Sequence, residues 1–86
     1  MTDPGREALR RATSEVLENQ LGDNDPPETR ETYERLLAEG IADGEARRLL
    51  SAIIAVEIFE VIKEGRPFDR DRFVERLRLL PKLEFD

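Results

Sequence analysis

The fold is decided by residues 45–65, which read EARRLLSAIIAVEIFEVIKEG. Apolar residues recur there every three or four positions, which predicts one long helix that begins after Asp43 and ends at Gly65. At about 100° per residue, the first half of this helix places residues such as Leu49 on one side, whereas the second half gathers residues such as Phe59 on roughly the opposite side. A helix whose apolar face changes sides is contacted by different neighbours along its length. We therefore expect it to be the central helix of a bundle.

Proline and glycine predict the limits of the two helices that precede it. Pro4 suits the first helical position, where a backbone N–H would have no partner, and Gly22 supplies a left-handed stop. After a proline-rich loop, Asp25 and Glu28 have the spacing of a capping box, with Asp in place of Ser or Thr. Gly40 then ends the second helix.

A fourth helix is predicted after the long one. Asp69 suits its cap, Phe68 and Phe73 have the spacing of a hydrophobic staple, and Pro81 stops the helix. The chain thus predicts an all-α fold in a single domain, residues 1–86. The domain is a compact bundle of about four helices, at roughly residues 4–21, 26–39, 44–64 and 70–80, with the third helix central.

Composition excludes several kinds of chemistry. The 86 residues contain neither Cys nor His, which removes thiolate chemistry, the usual neutral-pH proton shuttle and the commonest transition-metal ligand. We therefore predict no cofactor and no enzyme activity. Since 40% of the residues are charged, the core is small, and disorder at residues 1–2 and 82–86 would fit this composition. No apolar run approaches the ~18 residues of a membrane span, so we expect no membrane association and a cytoplasmic location.

Charge is unevenly distributed along the chain. Residues 1–45 hold twelve acids and five bases, a balance of −7, whereas residues 63–82 hold seven bases and four acids, a balance of +3. A nucleic-acid interface needs a clustered basic face, and here neighbouring acids cancel much of the positive charge. This cancellation argues against nucleic-acid binding, and weak binding through the basic residues of the fourth helix is an alternative function.

A series of short motifs resembles a family of uncharacterised bacterial proteins whose domain has no assigned function. Related sequences carry histidines near the positions of Ser14 and Arg48, and this chain has none. Any metal or acid–base role of such histidines is therefore not implied here. The resemblance covers roughly residues 14–50 and implies a bacterial helical domain without an activity. Its motifs are Glu18-Asn19-Gln20, Asp25-Pro26-Pro27-Glu28, Arg35-Leu36, Gly40 and Glu45-Ala46.

Three glutamates lie on one side of the long helix. Glu57, Glu60 and Glu64 recur at helical spacing, and converging carboxylates serve acid–base chemistry or bind hard metal ions. A carboxylate-based metal-binding protein or enzyme is thus one alternative function. The other interpretation is a solvated stripe that pairs with arginines of a neighbouring helix or subunit. It is favoured because the di-metal bundle pattern requires a Glu-x-x-His that this chain lacks.

Gln20 is a polar residue on the apolar stripe of the first helix, between Leu9 and Val16. A buried amide needs hydrogen-bond partners. We interpret Gln20 as bonding backbone groups of the loop at residues 23–27 and so fixing its path. The alternative is that Gln20 belongs to a small ligand site.

The long helix is apolar on nearly all sides, and the other three predicted helices are too short or too narrowly striped to cover it. An uncovered apolar strip is an interface. Our leading hypothesis is therefore a small protein-interaction or regulatory module that self-associates. The simplest form is a homodimer in which the third helix, the fourth helix or the tail with Leu83 and Phe85 packs against its copy. No small-molecule partner is implied.

Overall fold

The computed structural model describes residues 4–83. Within that range the chain forms four α-helices and no strand, which confirms the predicted all-α bundle. Residues 1–2 and 84–86, which belong to the ends where disorder was predicted, lie outside the described residues, and so does Phe85 of the predicted interface. The helices are α1 (Pro4–Asp23), α2 (Pro27–Ala38), α3 (Asp43–Glu64) and α4 (Arg70–Leu79).

Helix α3 is the centre of the bundle, as the sequence predicts. It contacts each of the other three helices, and α2 does so as well, whereas α1 and α4 have no close backbone contact with one another. No helix formed by residues 4–83 is long and apolar enough to cross a membrane. The core consists of ten buried side chains, which are Leu17, Leu36, Ala46, Leu49, Leu50, Ile53, Ile54, Phe73, Leu77 and Leu80.

The predicted ends of α2 and α3 are confirmed. Gly40 takes a φ of 91° after α2, a backbone conformation that L-residues with a Cβ rarely adopt, and the N–H of Ile41 donates to the Leu36 carbonyl at 3.0 Å. Gly65 ends α3 in the left-handed region. Both glycines thus close their helices in the manner expected from sequence.

Two predicted details at the α1–α2 junction are wrong. Helix α1 continues through Gly22 to Asp23, and the left-handed residue is Asn24, with a φ of 53°. Asn tolerates this conformation because its short polar side chain can bond locally. Asp25 does not form a capping box, because the N-cap is Pro26 and no side chain caps this helix. Helix α2 begins one residue later than the capping box requires.

Helix α4 is held at both ends. The side chain of Asp69 accepts a hydrogen bond from the Arg72 backbone N–H at 3.0 Å, and the rings of Phe68 and Phe73 meet edge to face with centroids 5.4 Å apart, which confirms the predicted start. At the other end the guanidinium of Arg35, on α2, donates to two carbonyls at the C-terminus of the helix, where carbonyls lack the regular helical partner. These are the carbonyls of Leu77 and Leu80, both 3.0 Å away.

Candidate functional site

Four charged side chains join α3 to α4. Arg76 lies between two glutamates, 2.6 Å from a carboxylate oxygen of Glu57 and 2.9 Å from one of Glu60. Arg72 contacts the same two glutamates, at 3.4 Å and 2.6 Å respectively. We call these four residues the α3–α4 charge cluster. The arginines are four residues apart on α4 and the glutamates three apart on α3, so each pair shares one helix face.

The charge cluster is electrically neutral and partly removed from water. The side chain of Glu57 is only 3% exposed. The hydrogen bond from Arg76 holds the pKa of Glu60 below its ordinary value of 4.5. A charge buried this deeply requires a paired and hydrogen-bonded partner, and the two guanidiniums supply it.

The glutamate stripe is divided in the structure. Glu57 and Glu60 share the charge cluster, whereas Glu64 forms a separate ion pair with Arg66 at 2.9 Å. The carboxylates therefore face guanidiniums of the same chain, as one interpretation of the stripe anticipated, and Glu57 is buried rather than solvated. Within residues 4–83, no group of three carboxylates is placed to hold a metal ion.

The other arginines of α4 also have acidic partners. Arg70 binds Glu28 of α2 with its Nη2 2.9 Å from both carboxylate oxygens, and Arg78 lies 3.6 Å from Glu75. Hydrogen bonding to Arg70 lowers the pKa of Glu28. The basic residues predicted as an alternative nucleic-acid surface are thus largely engaged within the chain.

Gln20 connects the end of α1 to the start of α2. Its side-chain oxygen accepts a hydrogen bond from the hydroxyl of Thr29 at 2.9 Å, and its backbone carbonyl accepts one from the Asp25 N–H at 3.1 Å. Thr29 is fully buried. The side chain of Gln20 therefore fixes the junction through another side chain, and not through the loop backbone as the sequence interpretation held.

An apolar groove lies over the second half of α3, where α1 and α4 do not meet. Its cavity volume is about 190 Å³. Gln20 and Glu57 are its polar lining residues, and Glu57 is already neutralised by the charge cluster. The remaining lining residues are Val16, Ile54, Ile58, Val61, Ile62, Phe68 and Phe73.

Three large apolar side chains stand exposed at the groove or beside it. Ile62 leaves 76% of its surface in water, Phe59 leaves 59% and Phe68 leaves 49%. Ile62 and Phe68 line the groove together, and Phe59 lies one turn before Ile62 on α3. We call these three residues the α3 patch. Lys63 lies over the exposed ring of Phe59, with its Nζ 5.7 Å from the centroid.

The remaining candidates differ in position. Leu83 is half-buried and packs against the core, and Phe85 lies outside the described residues.

Sequence reasoning treated Phe68 only as half of a staple and missed that it also lines the groove. The short loop from Gly65 to Asp69 was the available signal, because it forces the residue before the cap to lie near the end of α3.

Comparisons with protein-family models, with curated proteins and with solved structures found no match to this chain. The family resemblance described from residues 14–50 therefore stays a prediction.

Proposed function

We propose that this protein is a protein-interaction module that associates with a second copy of itself through the α3 patch. The observation that carries the proposal is the exposure of Ile62 and Phe59, at 76% and 59% of their surfaces. Large apolar side chains exposed side by side, next to an apolar groove, are typical of interaction sites. The proposed location is the cytoplasm, since a chain without cysteines needs no oxidising compartment.

A second copy suits this surface because the surface has two complementary parts. A two-fold dimer presents the same residues from both sides, so one patch must supply both projections and depressions. Phe59 and Ile62 project from α3, and the small, half-buried Ala52 and Ala55 earlier on the same helix form the depression. The nearby acids at positions 57, 60 and 64 are paired with arginines of their own chain, so two copies meet without a large excess of one charge.

The size of the surface predicts a weak dimer. An aromatic side chain has about 150–250 Å² of surface, so each residue of the patch leaves roughly 100 Å² exposed. Two copies would therefore bury roughly 600 Å² from the patch alone, below the 1,200–2,000 Å² of stable interfaces. Even with flanking residues added, we expect a dissociation constant on the order of 10–100 μM.

Light scattering over a concentration series from about 10 μM to about 1 mM tests the proposal, because this range includes the expected dissociation constant. The weight-average mass should rise from 9.9 kDa towards twice that value. A mass that stays at 9.9 kDa over the whole series would overturn the proposed self-association.

A further inference from the structure

A second apolar stripe runs along the outer side of α3. Ala52, Ala55, Phe59 and Ile62 follow one another at intervals of three, four and three residues, the spacing that keeps side chains on one seam of a coiled coil. The two alanines are half-buried, and Phe59 and Ile62 are exposed. The stripe is distinct from the inner side of the helix, which buries Ile53 in the core. We call these four residues the α3 seam.

The α3 seam is graded by size, with two small residues followed by two large ones. In a parallel pair of seams, the large side chains of both copies would meet at one end and hold the helices apart, leaving gaps between the alanines. Gaps of this kind lose packing contacts. An antiparallel pair sets each small residue opposite a large one.

One antiparallel register places every small residue of the seam opposite a large one. If Ala55 lies opposite Phe59 of the second copy, then Ala52 lies opposite its Ile62, since both pairs share a midpoint at position 57. The same register repeats with the copies exchanged, as a two-fold axis requires. No other register pairs all four seam residues small against large.

We infer that the second copy docks antiparallel along the α3 seam, with the two-fold axis crossing the outer side of α3 at the height of position 57. This inference rests on the proposed self-association and specifies its geometry. The register also brings Arg48 to the C-terminal end of α3 in the second copy, which Arg66 follows directly after Gly65. Each of these arginines forms an ion pair within its own chain, Arg48 with Glu45 at 2.7 Å and Arg66 with Glu64 at 2.9 Å. Both ends of the seam therefore combine charges of both signs.

Disulfide trapping tests the register, because the chain has no cysteine and each introduced thiol is unique. Equal amounts of A52C and I62C chains are mixed in a glutathione redox buffer, and the covalent dimers are separated by mass. The antiparallel register predicts the mixed disulfide in more than about 90% of the dimers, since only cysteines with Cα atoms within about 7 Å can bridge. If disulfides form mainly between identical chains, or if mixed disulfides make up only the half of the dimers expected from random pairing, the register is wrong.

A control mixture pairs A52C chains with L79C chains, because Leu79 is exposed on α4. This mixture should give no enrichment of the mixed disulfide. Enrichment equal to that with I62C would contradict a contact specific to the α3 seam.

A distance measurement gives independent evidence and leaves the seam unchanged. Spin labels on R48C chains should lie at least about 27 Å apart in the antiparallel dimer, since the register separates the two positions by eighteen residues at 1.5 Å each. A parallel dimer would place them within about 15 Å, side by side across two packed helices. A short distance in a chain that light scattering shows to be dimeric would overturn the register and leave the interaction module standing. A monomer would remove both.

Discussion

The carboxylate of Glu57 lies 2.6 Å from the guanidinium of Arg76, at a point where the glutamate side chain is 3% exposed. This contact joins the central helix α3 to α4, and Glu57 itself forms part of the wall of the apolar groove. Because Arg72 and Glu60 complete a neutral set of four, the groove can contain a glutamate without presenting a free charge. The charge cluster therefore positions α4 and leaves the α3 patch as the apolar surface.

Replacing Glu57 with Gln should destabilise the fold by about 2 kcal/mol. Breaking a buried ion pair costs about 3–5 kcal/mol. We expect a loss below this range because Glu60 remains to pair with both arginines. For a domain of this size, the melting temperature should fall by roughly 8–16 °C. Thermal unfolding followed by circular dichroism measures the change. Glu64→Gln is the matched control, because its ion pair with Arg66 is more exposed, and its melting temperature should change little.

Acid should weaken the attachment of α4. The pKa of Glu60 is below its ordinary value of 4.5 because Arg76 bonds its carboxylate, and Arg70 lowers the pKa of Glu28 in the same way. The stability that these carboxylates contribute is fully present above about pH 4.5 and is lost as the pH falls through their lower folded-state values. The urea midpoint of unfolding should therefore decrease from pH 6 to pH 3. The decrease should be smaller in the Glu60→Gln variant than in the parent chain. An equal decrease in both proteins would contradict this assignment.

Replacing Thr29 with Val should cost about 1 kcal/mol. The side chains have nearly the same shape, but the variant loses the hydroxyl that donates to Gln20 and leaves that amide oxygen without its partner. Thr32→Val is the control, because the Thr32 hydroxyl donates only to the Glu28 carbonyl of its own helix, a bond that adds little to stability. Urea unfolding of both variants should show the larger loss at position 29. Equal losses would mean that the Gln20 contact is not what stabilises the junction.

Divalent cations should leave the melting temperature unchanged. Glu57 and Glu60 already bind guanidiniums, so a cation would have to displace an arginine before it could bind. Thermal shift assays with Mg²⁺, Mn²⁺ and Zn²⁺ at millimolar concentration check this. A stabilisation that disappears in Glu60→Gln would instead support the carboxylate-based metal site.

Local signals made most of the fold predictable. Gly65 ends α3 and Asp69 caps α4 because each acts on backbone groups within a few residues. The helix stop at Asn24 was missed because Gly22, two residues earlier, carries an equally good local signal. The choice depends on how α1 reaches α2, which no short stretch of sequence contains.

The charge cluster was only partly predictable for the same reason. The spacing of Glu57 and Glu60 put both carboxylates on one face, and pairing with arginines of a neighbouring helix was one interpretation. Which arginines pair, and that Glu57 is buried, depend on where α4 packs against α3. Arg72 and Arg76 are separated from these glutamates by twelve or more residues, so their contact is a consequence of tertiary packing.

The most direct test of self-association through α3 compares two variants by sedimentation velocity. The double variant Phe59→Gln/Ile62→Gln removes the two most exposed apolar side chains of the α3 patch, and Leu79→Gln changes a residue on α4 that is 47% exposed. Both should keep the helical circular dichroism of the parent chain. We predict that the double variant sediments as a monomer at concentrations where the parent chain and Leu79→Gln are dimeric. If the double variant stays dimeric, or if Leu79→Gln alone becomes monomeric, the proposed surface is wrong.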